Sequence, residues 1–126
     1  MEKMTRRELK ALFIRKVALV ESEQTLVALK EIYNAAMKGG ELSTGLPGDI
    51  AMLEEKIAKE QADLAKTEIR ARETLQVIQD DVGRIGAMLH FCEGMPWKTV
   101  AAVLHRSEKG VSKAAYRGME TDGIKK

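Results

Sequence analysis

The sequence predicts an all-α protein: a long antiparallel helical hairpin of coiled-coil character, then a compact module of three short helices. Three observations predict it. Aromatic residues make up only 4% of the 126 residues and prolines number two, while charged residues reach 32%. Leu12, Leu19, Leu26 and Tyr33 recur every seven residues, as do Ile50, Ile57, Leu64, Ala71, Ile78 and Ile85, which is the period of a coiled-coil seam. After Gly83 and Gly86 the apolar segments shorten and are punctuated at Gly94, Pro96 and Ser107, as short helices between turns would be.

The first helix is expected from Thr5 to about Met37. Leu9, Leu29, Ile32 and Ala36 join its heptad stripe. Thr5 followed by Glu8 is a capping-box pattern at its start, and Lys38 before Gly39-Gly40 supplies a cationic last turn and a glycine stop. Residues 39–48 read as a connector with no period. Asp49 is the expected N-cap of the second helix, with Leu53 at one d position and Glu60 and Thr67 weakening the later seam. Two such helices joined by a short connector fold back most simply as a hairpin, placing one domain at 1–80 and a second at 81–126. The heptads leave open whether a second chain pairs with the hairpin.

In the second part, Gly83 and Gly86 are expected to mark where the hairpin stops. The first short helix spans Asp81 to Glu93, with Val82, Ile85, Met88 or Leu89 and Cys92 inward. The second begins with Pro96 at its first helical position and carries Trp97, Val100, Ala101, Val103 and Leu104. After His105-Arg106-Ser107, with Ser107 as N-cap, the third runs from Glu108 to Met119, with Val111, Ala114, Ala115 and Met119 inward. Small Ala101 permits a close crossing, and Leu104 and Val111 pack across the turn. The outer side then shows Glu108, Lys109, Ser112, Lys113, Tyr116 and Arg117. The arrangement is that of a helix-turn-helix.

Charge is distributed unevenly. Residues 1–40 carry eight Lys/Arg and five Asp/Glu, residues 41–81 five and ten, and residues 82–126 eight and four. A basic last third behind an acidic middle points to parts with different tasks. One cysteine excludes an internal disulfide. His90, His105 and Cys92 do not make a metal-ligand set. Cys92 reads as a small buried hydrophobe, and Trp97 as packing on the first short helix. There is no apolar run of membrane-spanning length, no phosphate-binding glycine loop and no catalytic constellation. The expectation is a non-enzyme without cofactor or metal, and no membrane partner.

The stretch from His90 to Val111, His-Phe-Cys-Glu-Gly-Met-Pro-Trp-Lys-Thr-Val-Ala-Ala-Val-Leu-His-Arg-Ser-Glu-Lys-Gly-Val, resembles region 4 of the bacterial sigma-70 factors. The whole chain resembles in plan the small phage and prophage regulators of the ArpU and RinA type, in which a charged coiled coil precedes such a helix-turn-helix. By this resemblance Trp97, Val100, Ala101, Leu104, Ser107 and Val111 occupy framework positions. Lys109, Ser112, Lys113 and Arg117 fall where the recognition helix faces the major groove, with Arg106 near its start. The chain departs from the pattern at His105, where Gly is usual, and at Gly110 in the first turn of the recognition helix.

The resemblance implies a phage-derived transcription regulator that binds double-stranded DNA in the cytoplasm of a bacterial host, at its nucleoid. Host RNA polymerase is a possible second partner. Three or four phosphate contacts per chain bind weakly, so a homodimer on two half-sites is expected, with the coiled coil supplying the dimer or a polymerase-docking surface. Two other readings share the same scaffold. One is a protein that inhibits a host polymerase or antiviral nuclease by direct binding; the other is a DNA recogniser for packaging, of small-terminase type.

Overall fold

A computed structural model describes residues 3–40 and 45–126. Every regular element among them is helical. They are α1 (Arg6–Lys38), α2 (Leu46–Leu75), α3 (Asp81–Ala87), a π-helical turn (Met88–Cys92) that continues α3, α4 (Trp97–Leu104) and α5 (Glu108–Thr121). The chain divides into two compact units, Met1–Val17 with Leu64–Lys126, and Ala18–Asp63. That division cuts through α1 and α2 and does not fall at residue 80, because both helices contribute residues to the unit that holds α3, α4 and α5.

In the unit Ala18–Asp63, Leu19, Ile50 and Ile57 are buried, and Leu26, Leu29, Tyr33 and Leu53 half-buried, as their spacing predicts. Ile32 is the exception: expected on the same stripe, it is 57% exposed. Lys30 and Glu54 approach to 3.9 Å, but both are half exposed, so the pair contributes little. The second helix starts earlier than expected. It opens at Leu46, and Asp49 lies in its first turn with its amide bonded to the Gly45 carbonyl at 3.2 Å. Asp49 is therefore no N-cap, although its charge still suits the positive helix end. Residues 41–44 of the expected connector lie outside the described residues.

The other unit opens with the capping box. The Thr5 amide donates to Glu8 Oε1 at 3.0 Å and the Glu8 amide to Thr5 Oγ1 at 3.2 Å. The Thr5 amide first, then the Arg70 guanidinium at 3.2 Å, hold the Glu8 carboxyl below its ordinary pKa. Met4, Leu9 and Leu12 of this end are buried, as are Leu64, Ala71 and Leu75 of α2. The Met4 amide donates to Thr74 Oγ1 at 2.9 Å, and Lys16 pairs with Glu68.

The heptad numbering outlasts the helix that it describes. α2 ends at Leu75, and the chain turns before Asp80 caps α3 by accepting from the Gly83 amide at 2.7 Å. Ile78 is buried off the helix. Ile85, expected inward, is 42% exposed, because the break resets which face of the new helix is covered.

Gly83 and Gly86 do more than mark an ending. Both are buried where α3 packs against α5. A Cβ on Gly83 would lie 2.6 Å from the Ala114 carbonyl oxygen, and one on Gly86 2.8 Å from Val111 Cγ1. On α5, a Cβ on Gly118 would lie 2.5 Å from Ile78 Cγ2. Three glycines thus bring backbones close enough for a small core to fill. The π-helical turn then buries His90, Phe91 and Cys92 in succession, because its wider coil narrows the angle between neighbouring side chains. It closes at Gly94 (φ 74°), where a Cβ would come 3.0 Å from Lys16 Cβ.

Candidate functional site

The framework of α4, turn and α5 centres on Val100, Ala101 and Val111, buried together with Val82, Leu89, Met95, Trp97 and Leu104 packed on them. Pro96 is the N-cap of α4 and not its first helical residue; its carbonyl accepts from the Thr99 and Val100 amides, both at 3.0 Å. Val103, one of the apolar residues of this segment, is 51% exposed.

α4 ends on His105 in the left-handed region (φ 54°), while the Arg106 amide reaches back to the Ala101 carbonyl at 3.0 Å. This closure normally uses glycine. Ser107 then caps α5, its Oγ accepting from the Gly110 amide at 3.0 Å. A Cβ on Gly110 would sit 2.8 Å from that Oγ, so the glycine in the first turn leaves room for the cap.

Arg106, Lys109, Lys113 and Arg117 are all exposed. Ser112 is half-buried and donates from Oγ to the Lys109 carbonyl at 3.2 Å. Lys109 and Lys113, one helical turn apart, share the outward face of α5. Arg117 follows Lys113 by a further turn of α5, and Arg106 precedes the helix. Arg117 lines a hollow with Asp80 and Asp122, and Arg106 lines another with Asp80 and Ser107. The carboxylates of these hollows are themselves engaged, Asp80 by the Gly83 amide and Asp122 by the Gln79 amide.

Tyr116, expected on the exposed side, is half-buried. Its ring centroid lies 5.9 Å from that of Trp97 and 6.3 Å from that of Phe91. Burial pushes its phenol pKa up. Behind it, His90 is sandwiched between Phe13, at 4.0 Å and 22°, and Trp97, at 3.9 Å and 12°. His90 Nδ1 lies 2.7 Å from the Met95 carbonyl, which assigns the proton to Nδ1. Burial lowers the pKa of this imidazole. Burial likewise pushes the Cys92 thiol up to about 11, which leaves almost no thiolate at neutral pH.

Sequence reasoning passed over a second cationic group. Arg6, Arg7 and Lys10 of α1 line one hollow with Tyr116 of α5 and with Lys126. The only signal in the sequence is their spacing, which puts three cations on one side of the first helical turns.

Among the described residues, no group of three or more His, Cys, Asp or Glu could hold a metal ion, and no helix is long and apolar enough to cross a membrane. No family model matches the chain, and neither a curated protein nor a solved structure matches it.

Proposed function

We propose that this chain is a DNA-binding transcription regulator of the phage type. In this reading α1 and α2 form an antiparallel coiled-coil hairpin, and α3 to α5 form a helix-turn-helix module of sigma region 4 plan, with α5 as the recognition helix. The observation that carries the reading is the capped α5, held across a three-residue turn with Lys109 and Lys113 on its outward face. Lysines suit phosphate contact, whereas base discrimination falls to Arg106, Arg117 and the Ser112 edge.

Fluorescence anisotropy with promoter-derived and random duplexes, at about 50 and 200 mM salt, tests the reading. Binding should weaken steeply between the two salts and disappear in Lys113→Glu/Arg117→Glu. No binding at the lower salt defeats it.

A second reading, inhibition of a host polymerase or nuclease by direct contact, draws support from the apolar side chains left on the surface. Val20, Val27, Ile32, Met37 and Met52 are exposed within the unit Ala18–Asp63. Under that reading the same charge reversal spares the activity of the inhibitor.

A further inference from the structure

α1 places Arg6, Lys10 and Arg7 along one side of its first turns, while Glu8 faces away and is engaged by Arg70 and by its own cap. The C-terminal segment is tied to the same place. Ile124 is 2% exposed, its amide donates to the Met119 carbonyl at 2.8 Å, and the Lys125 carbonyl accepts from the Arg6 amide at 2.7 Å. This docking brings Lys126 to the hollow lined by Arg6, Arg7, Lys10 and Tyr116, of about 380 Å3.

Four cationic residues therefore line a hollow to which no Asp or Glu contributes among the described residues. Lys10 Nζ stands 5.6 Å from the centre of the Tyr116 ring, a cation–π distance. Arg6 Nε is buried without a hydrogen-bond partner among the described residues, which leaves one donor of this guanidinium unmet. Converging like charges cost free energy unless an anion joins them. An ordinary solvated helix face spreads its charges and alternates their sign.

We infer that Arg6, Arg7, Lys10 and Lys126, with Tyr116, form a site for consecutive phosphate groups, namely the sugar–phosphate backbone of a nucleic acid. The donors match that ligand: guanidinium forks bridge two phosphate oxygens, and ammonium groups act as point charges beside them. Tyr116 belongs to α5, three residues after Lys113, and so ties this hollow to the proposed recognition helix. The assignment to nucleic acid rests on the proposed function; the phosphate chemistry of the hollow does not.

Two probes separate the claims. Inorganic tripolyphosphate, followed by titration calorimetry, reads the hollow alone. A random duplex, followed by anisotropy across salt, reads the whole surface. The neutral variant Arg7→Gln/Lys10→Gln should weaken tripolyphosphate binding about tenfold or more and lower the salt slope for duplex by about 2. Lys113→Glu/Arg117→Glu should leave tripolyphosphate binding unchanged.

Lys10→Gln/Lys126→Gln addresses the hollow from its other segment and covers the case in which the first variant folds poorly by circular dichroism. Tripolyphosphate binding that is absent from the wild-type chain, or equal in wild-type and both amide variants, overturns the inference. Loss of tripolyphosphate binding with duplex binding untouched overturns the nucleic-acid assignment. Duplex binding that fails only in the amide variants supports the hollow and counts against α5 as reader. Failure only in Lys113→Glu/Arg117→Glu does the opposite.

Discussion

His105 and His90 carry opposite lessons at the scale of the residue. His105 adopts a left-handed conformation that costs a side-chain-bearing residue roughly 1–2 kcal/mol, so H105G should raise stability by about 0.5–1 kcal/mol in urea unfolding, the remainder being offset by the greater freedom of glycine in the unfolded chain. His90 is held neutral between Phe13 and Trp97. Burial depresses its folded pKa below the ordinary 6.5, so the unfolded chain takes up its proton first. The stability tied to His90 is therefore complete above that value and is lost as pH falls below it. Thermal midpoints should drop between about pH 6.5 and 5 in the wild-type chain, and less so in His90→Phe. Equal pH dependence in the two proteins would show that the stack tolerates the imidazolium. Cys92, fully buried with a raised pKa, should react with a thiol reagent only after unfolding.

Helices are made by periodicity and capping, and both were legible. The Thr5–Glu8 box and the Ser107 cap appear where their spacing predicts. Close approach at the glycines was not legible, because a glycine looks the same as a helix breaker and as a contact point. Gly83 and Gly86 read as interruptions and Gly118 drew no reading, yet each faces an atom within 3.0 Å of where its Cβ would stand. Gly83→Ala meets the Ala114 backbone, which cannot yield, and should lower stability by about 1–3 kcal/mol despite the gain in helix propensity. Gly118→Ala should cost less, since an Ile78 methyl can rotate away. Gly48→Ala in α2, with nothing within 4 Å, should instead be neutral or stabilising by up to about 1 kcal/mol. Ranking the three by chemical denaturation tests the glycine contacts against simple propensity.

For the whole molecule, the proposed dimer makes the sharpest demand. Val20, Val27 and Met52 are exposed, so Val27→Glu/Met52→Glu should leave helicity intact. If the coiled coil supplies the dimer, sedimentation equilibrium should show the wild-type chain as a dimer and this variant as a monomer. A monomeric wild-type chain would remove the two-half-site mechanism and leave only weak, salt-sensitive binding per chain. The compact units also belong to this scale. No local pattern announces that Met1–Val17 shares a unit with Leu64–Lys126, since the contacts that join them, such as Phe13 on His90 and the Arg6 amide on Lys125, lie far apart in sequence.

The sequence by itself determined the helical class, the two long helices, the three-residue turn at 105–107, the Ser107 cap and the cations at 106, 109, 113 and 117. Each depends on period, capping chemistry or charge within a few residues, and those interactions are local. Only the tertiary structure decided that α2 stops at Leu75, that Ile32 and Ile85 face outward, and that Arg6, Arg7 and Lys10 meet Tyr116 and Lys126. These are matters of which helix face meets which, and a heptad reports only that a face is buried, not what lies against it.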